Sequence, residues 1–379
     1  MATTSPRNIY GESVFLALLE ELNEKDWAVP TQASIDELGT AVGTHLGLKR
    51  GRNEDRFAVA RIHGINSEIY TAALICDGVG GSLQGDEAAM IVVSSILHQL
   101  ATEPGRPPLE RLAGMLVRAA DEEVRTILKG KGTSTLVMFL ATASGGIACV
   151  SIGDSRVYGW APVECKVTQI TTDDTVENEL KNIPGDHQSL IQARGLQGRL
   201  SQAMGETGRS ADELRIKVFG QEHFPAGVIL GTDGLWRAAK DFESVAANAR
   251  TPIDVVRRTI NAANWVGGLD NSTVIAIQDV GKFFSSKSSA FVPGRSNHLH
   301  LLLWLGANRL KVVGDFVLRG QASAAPKVEK LTGKNKPKRE KTTKQEPELK
   351  FDVDIQSEPR PVLEVTIGES SEEKNTKNK

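Results

Sequence analysis

Six apolar runs of strand length constrain this chain more than anything else in it: residues 57–61, 70–76, 135–142, 147–152, 227–231 and 273–277, with Gly, Asp and Asn around their ends. Runs of five to eight such residues predict buried β-strands. Residues 84–102, 108–128, 240–248 and 252–264 carry the longer periodicity of helices. Two of these helices follow one another with no strand between, and Ser144-Gly145-Gly146 joins two of the strands as a hairpin. That order disfavours a strictly alternating parallel sheet and predicts a layered α+β domain spanning about 41–281.

The ends of the strands carry the chemistry. Asp77 closes Leu74-Ile75-Cys76 and is followed by Gly78; Asp154 follows Ile152-Gly153; Asp233 follows Gly231-Thr232 and precedes Gly234; Asp270 stands just before the last of the six runs. A single Asp-Gly pair is most often a turn. Four carboxylates on the ends of apolar strands are a different matter, because neighbouring strands would bring them to one edge, where they repel unless cations lie between them. With no Cys or His cluster to favour zinc, hard oxygen-ligated ions such as Mg²⁺ or Mn²⁺ suit them. Ahead of the first strand, Arg50-Gly51-Arg52-Asn53-Glu54-Asp55-Arg56 mixes guanidinium groups that fork onto phosphate with carboxylates that face an ion; the plain alternative is an exposed charged turn.

Outside 41–281 the chain is less informative. Val14, Phe15, Leu18, Leu19 and Leu22 recur at helical spacing, with Ser13 placed to cap and Pro30 to stop, so residues 1–40 are expected to hold one amphipathic helix. Packing on the domain behind it is favoured over docking a partner. Residues 282–325 read as a Ser-rich connector with an apolar patch at 301–318, and 326–379 as a charged, disordered tail. Within that tail, residues 327–344 hold eight basic and two acidic residues. Removing everything after about 285 is therefore expected to leave turnover intact. The basic run could dock a partner, but 45 basic against 47 acidic side chains overall argue against nucleic-acid binding as the main task. Three cysteines without metal spacing fit a reducing compartment. No signal-peptide core follows Met1, and the apolar run at 301–307 is far short of the roughly 20 residues that cross a bilayer. A cytoplasmic monomer is the expectation.

In order along the chain, Arg50-x-x-Asn53-Glu54-Asp55, Asp77-Gly78-x-Gly80-Gly81-x-x-x-Gly85, Gly132-Thr133-Ser134-Thr135, Gly153-Asp154-Ser155-Arg156, Thr171-x-Asp173, Ala203-Met204-Gly205, Thr232-Asp233-Gly234-Leu235 and Asp270-Asn271-Ser272-Thr273 resemble the protein phosphatase 2C family in its bacterial form. The resemblance implies a four-layer α-β-β-α sandwich of two antiparallel sheets and a metal-dependent serine/threonine phosphatase. It implies two Mn²⁺ or Mg²⁺ ions, with a third in bacterial-type members, and hydroxide bridging the two ions that attacks phosphorus in line. By the same resemblance Asp77 bridges the two ions and the Gly78 carbonyl helps hold the first. Asp233 and Asp270 ligate the second, Glu54 and Asp55 reach the ions largely through water, Arg50 grips the phosphate, and Asp154 with Asp233 holds the third. Substrates would be phosphoproteins, with a cognate Ser/Thr kinase as the opposing enzyme. A catalytically weak, phosphopeptide-binding module is the alternative; it loses ground because Asp77, Asp154, Asp233 and Asp270 are all present. Two departures stand out: Val79 where many members have His and bacterial ones Met, and Asp173-Asp174-Thr175 where Asp-His-Ser is usual. The second leads into a variable flap at about 176–200, where His187 and Arg194 are more readily surface residues than substrate contacts. His298-Leu299-His300 is left out of the metal set.

Overall fold

The expected strands are present and are buried on both faces, which is why they read as unbroken apolar runs. The computed structural model describes residues 9–79, 84–181, 183, 187–224, 226–238, 241–284, 298–315 and 327–330. Among these, one sheet has six strands in the order β1 (Thr31–Ile35), β2 (Thr40–His45), β11 (Ser272–Ile277), β10 (Gly227–Gly231), β7 (Arg156–Ala161) and β8 (Lys166–Gln169). The other has eight: β14 (Lys327–Lys330), β13 (Asn308–Asp315), β12 (His298–Leu305), β3 (Arg56–His63), β4 (Ile69–Cys76), β5 (Leu136–Thr142), β6 (Ile147–Ile152) and β9 (Lys217–Phe219). Every neighbouring pair is antiparallel.

Alternation along the strands divides the core in two. Val228, Leu230, Ile275 and Ile277 join the large cluster shared with the eight-stranded sheet. Their neighbours Ile229, Val274 and Ala276 point the other way, into a smaller cluster with Val255, Val256 and Ile260 of α8 (Pro252–Trp265). Helix α8 starts cleanly because Thr251 accepts from the Asp254 amide at 3.3 Å and Pro252 occupies the first turn. With α7 (Phe242–Ala247) it covers the six-stranded sheet, while α2 (Gly85–Thr102) and α3 (Leu109–Leu128) cover the eight-stranded one. The four layers are therefore helix, sheet, sheet, helix.

Packing crosses both boundaries drawn from the sequence. Helix α1 (Ile9–Glu24) packs on α2, with Leu18 and Leu22 fully buried. Trp27 follows it into the core, donating from Nε1 to the Leu22 carbonyl at 2.7 Å and meeting Phe57 edge-on at 5.4 Å. The lead-in thus takes the packed form, and residues 31–35 add a strand to the six-stranded sheet. At the other end, the connector expected at 282–325 contains β12 and β13, a hairpin laid along β3 with Leu301 opposite Ile62 and Leu303 opposite Ala60. Leu301 and Leu303 are wholly buried. Without the hairpin the long apolar strand β3 would present an open edge. The expected disordered tail begins with β14 on the β13 edge; its remainder, 331–379, lies outside the described residues.

Candidate active site

Antiparallel register brings the strand-end carboxylates to one edge of the sandwich. Arg56 pairs with Cys76, so Asp55, just before β3, stands beside Asp77, just after β4. Leu136 pairs with Ile152, and the Thr135 amide donates to the Asp77 carbonyl at 2.8 Å, which brings the end of β6 and Asp154 to the same place. In the other sheet Gly231 pairs with Val274, setting Asp233 after β10 near Asp270 before β11. Strand β4 packs across the sandwich on β11, and β5 on β10. Five carboxylates from five strand ends converge.

Their electrostatics follow from that convergence. Asp77 is pushed well above the ordinary carboxylate range, first by burial and then by Asp55, Asp233, Asp154 and Asp270. Burial pushes Asp55 up to about 7, against hydrogen bonds from Thr273 and Thr232 that pull it down. Asp154 also rises to about 7, from burial and then Asp233. Asp233 rises from burial, opposed by Arg237 and reinforced by Asp270. Glu54, half-buried at the rim, is raised by burial and then by Asp86.

The motif residues around the cluster hold its backbone. Thr135 Oγ1 accepts from the Asp77 amide at 3.1 Å, and Ser134 Oγ donates to the Asp77 carbonyl at 3.0 Å. Gly78 lies so close to the first turn of α2 that a Cβ there would come within 2.5 Å of the Gly85 carbonyl carbon. Asp55 Oδ2 accepts from Thr232 and Thr273 at 3.0 and 2.7 Å. Asn271 clips the 46–54 loop: its Oδ1 accepts from the Glu54 amide at 2.8 Å, and its Nδ2 donates to the Leu46 and Arg52 carbonyls at 2.8 and 3.0 Å. Asn53 ties the same loop to the Trp27 carbonyl at 3.0 Å and to Thr44 Oγ1 at 2.9 Å.

Of the arginines in the 50–56 segment, Arg50 alone reaches the cluster, donating to Asp270 Oδ2 at 2.7 Å from a half-exposed position. Arg52 pairs with Asp86, and Arg56 is buried under Asp86 at 3.2 Å and over the Trp27 ring. A further cation was not anticipated. Arg237, one turn on from Asp233 in α6 (Asp233–Trp236) and its C-cap, forks onto Asp154 at 2.6 Å and Asp233 at 3.0 Å. The signal was available as an i,i+4 Asp-Arg spacing, but nothing local says that Asp154 would stand on its other side. Cys76, beside Asp77, is buried and its thiol is pushed up by burial and Asp77, which fits a strand residue rather than a nucleophile.

The expected flap holds two short helices, α4 (Val176–Leu180) and α5 (His187–Ala193). Thr175 pairs with Leu200 and the Val176 amide donates to the Arg199 carbonyl at 2.9 Å, so its base is closed. The Asp173-Asp174-Thr175 variation is structural: Arg156 grips Asp173 with two bonds at 2.9 and 2.7 Å, and Thr175 caps α4. Buried Asp174 accepts from the Gly153 amide at 3.0 Å and Lys217 at 2.6 Å. Arg194 is exposed; the His187 side chain lies outside the described residues. Beside the flap is a cavity of about 500 Å³ lined by Arg156, Lys181, Gly198, Trp236 and Arg237 among others.

The donors fit a hard divalent ion: all are oxygens, Asp55, Asp77, Asp154 and Asp233 are raised first by burial and then by neighbouring carboxylates, and Asp55 Oδ1 is buried with no hydrogen-bond partner. As they stand, no three acidic, His or Cys side chains among the described residues are close enough to enclose an ion by themselves.

A family model described as protein phosphatase 2C matches residues 47–266. The serine/threonine protein phosphatase PstP of two Mycobacterium tuberculosis strains is 29% identical over 267 residues, covering 67% of this chain and 47% of PstP. The chain thus spans about half the length of the curated relatives it matches. The solved PPM Ser-Thr phosphatase MsPP from Mycobacterium smegmatis, in complex with cacodylate, is 26% identical with a TM-score of 0.50, over 63% of this chain and 97% of that one. The crystal structure of Mycobacterium tuberculosis PstP/Ppp gives 26% and 0.50 over 62% and 96%. Staphylococcus aureus Stp1, 19% identical with a TM-score of 0.53 over 64% and 94%, shares the fold.

Proposed function

The chain belongs to the protein phosphatase 2C family, and from that premise we propose that it is a metal-dependent protein serine/threonine phosphatase acting on phosphoserine and phosphothreonine. The observation that carries this is the convergence of Asp55, Asp77, Asp154, Asp233 and Asp270 with Arg50 at their rim. Asp77, central to the cluster and raised by all four others, is suited to bridge two Mg²⁺ or Mn²⁺ ions. The Gly78 carbonyl, Asp233 and Asp270 would complete their protein ligands, and Glu54 and Asp55 would act from the next layer out. When bound, such ions supply water with a lowered pKa and stabilise charge on phosphoryl oxygens.

The chain's own residues do the rest. Arg50 holds Asp270 by a single hydrogen bond at the exposed rim, so it can turn its guanidinium onto a phosphate and orient it for in-line displacement. Asp55 is fixed by Thr232 and Thr273, and the Asp77 backbone by Ser134 and Thr135, so the carboxylates are held by rigid strand ends. The cavity beside the flap gives the residues flanking a phosphorylated side chain a place to lie. Phosphoproteins phosphorylated by a cognate Ser/Thr kinase are the proposed substrates.

Purified protein is expected to hydrolyse p-nitrophenyl phosphate and a phosphothreonine peptide with Mn²⁺ or Mg²⁺ and to lose that activity in EDTA. Asp77→Asn and Asp233→Asn should abolish it. Full activity in EDTA, or in Asp77→Asn, would overturn the proposal.

A further inference from the structure

The pair Asp154 and Asp233 is occupied from within. Arg237 Nη2 lies 2.6 Å from Asp154 Oδ2, and Arg237 Nε lies 3.0 Å from Asp233 Oδ2, so one guanidinium spans two carboxylates on the ends of different sheets. It is held on other sides too. Its carbon lies 5.2 Å from the centre of the Trp236 ring, and the same ring carries Arg156 at 3.5 Å. Nη2 also reaches the Gly198 carbonyl in the flap at 3.3 Å. Gly198 permits this approach: its φ is +64°, and a Cβ there would come within 2.8 Å of Arg237 Nη1. Arg50, as exposed as Arg237, differs in touching a single carboxylate, Asp270, by one bond.

We infer that Arg237 is the fixed counter-charge of Asp154 and Asp233 and closes that pair to a divalent ion, so this chain takes two ions in its cluster and not a third. The inference rests on the proposed two-ion site. An ion entering between Asp154 and Asp233 would have to expel a tethered cation that already pairs with both and sits one helical turn from one of them. It would also break the contacts to Trp236 and Gly198, and so separate the flap from the cluster. Asp154, buried at 6% side-chain exposure, then serves to seat Arg237 instead of holding metal.

The experiment counts ions instead of turnover. Ion-stripped full-length protein is titrated with Mn²⁺ up to about 1 mM, free Mn²⁺ being read by electron paramagnetic resonance. Wild type and Asp154→Asn are both expected to bind two ions. Arg237→Ala is expected to bind three, and the double variant Arg237→Ala/Asp154→Asn to return to two. Arg237→Gln, which keeps a hydrogen-bonding group over the buried carboxylate, is the second variant should Arg237→Ala fail to fold, and it too should gain an ion. Three ions on wild type falling to two in Asp154→Asn would overturn the inference while leaving the two-ion reading standing. Arg237 variants that fold and still bind two would also overturn it. Binding of no ion by wild type would sink both.

Discussion

Asn271→Ala tests whether the active-site loop is held by one side chain. Asn271 is 4% exposed and makes three hydrogen bonds, to the Glu54 amide, the Leu46 carbonyl and the Arg52 carbonyl. Each such bond contributes about 0.5–1.5 kcal/mol net, and its removal leaves three backbone groups to find water. The expected loss is about 2–4 kcal/mol of unfolding free energy, measured by urea titration followed through tryptophan fluorescence. The same loop carries Arg50 and Glu54, so loosening it should also misplace the phosphate grip. Misplacement on the 1 Å scale lowers turnover by on the order of 100-fold; a fall of roughly 10- to 100-fold in kcat/KM on p-nitrophenyl phosphate is expected at a temperature where both proteins are folded. Stability within about 0.5 kcal/mol of wild type would refute the clip. Lost stability with unchanged turnover would refute its positioning role.

Two further outcomes follow from packing and burial. Leu303→Ala, at a fully buried position of β12, should cost about 2–5 kcal/mol. Truncation after residue 284 should lower stability more by uncovering the β3 edge, so activity surviving truncation with an unchanged melting temperature would show the hairpin to be dispensable. Burial lowers the His98 imidazole to about 4, and its Nδ1 has no hydrogen-bond partner. The unfolded chain therefore takes up a proton below about pH 6.5 that the folded chain refuses until about 4. Stability is lost as pH falls through that window and is unaffected above it. The difference in unfolding free energy between wild type and His98→Leu should shift by on the order of 3 kcal/mol from pH 7 to pH 4, and a pH-independent difference would count against the buried neutral form.

Most of the candidate site was legible because its residues sit at strand ends, where local pattern and chemistry coincide. Asp77 after Leu74-Ile75-Cys76 and Asp233 after Ile229-Leu230-Gly231 could be read as strand-end carboxylates without knowing which strands pair. The weakly apolar strands were not legible. Thr40–His45 and Arg156–Ala161 contain Gly, His or Arg and become strands through partners already in place, β11 and β10. The 301–305 stretch was visible as apolar, but its partner β3 lies far away in sequence, so its role in the sheet was not.

By itself, then, the sequence determined the layered α+β class, the family and the set of carboxylates, because these depend on periodicity and on residues adjacent in the chain. Tertiary structure alone decided which charges face which. Antiparallel register and the stacking of two sheets bring Asp154 and Asp233 to opposite sides of Arg237, put Asn271 under the Arg50 loop, and draw Leu18, Leu22 and Trp27 and, far along the chain, Leu301 and Leu303 into the core. Such juxtapositions are sums over pairings distant in sequence, and no local propensity carries them.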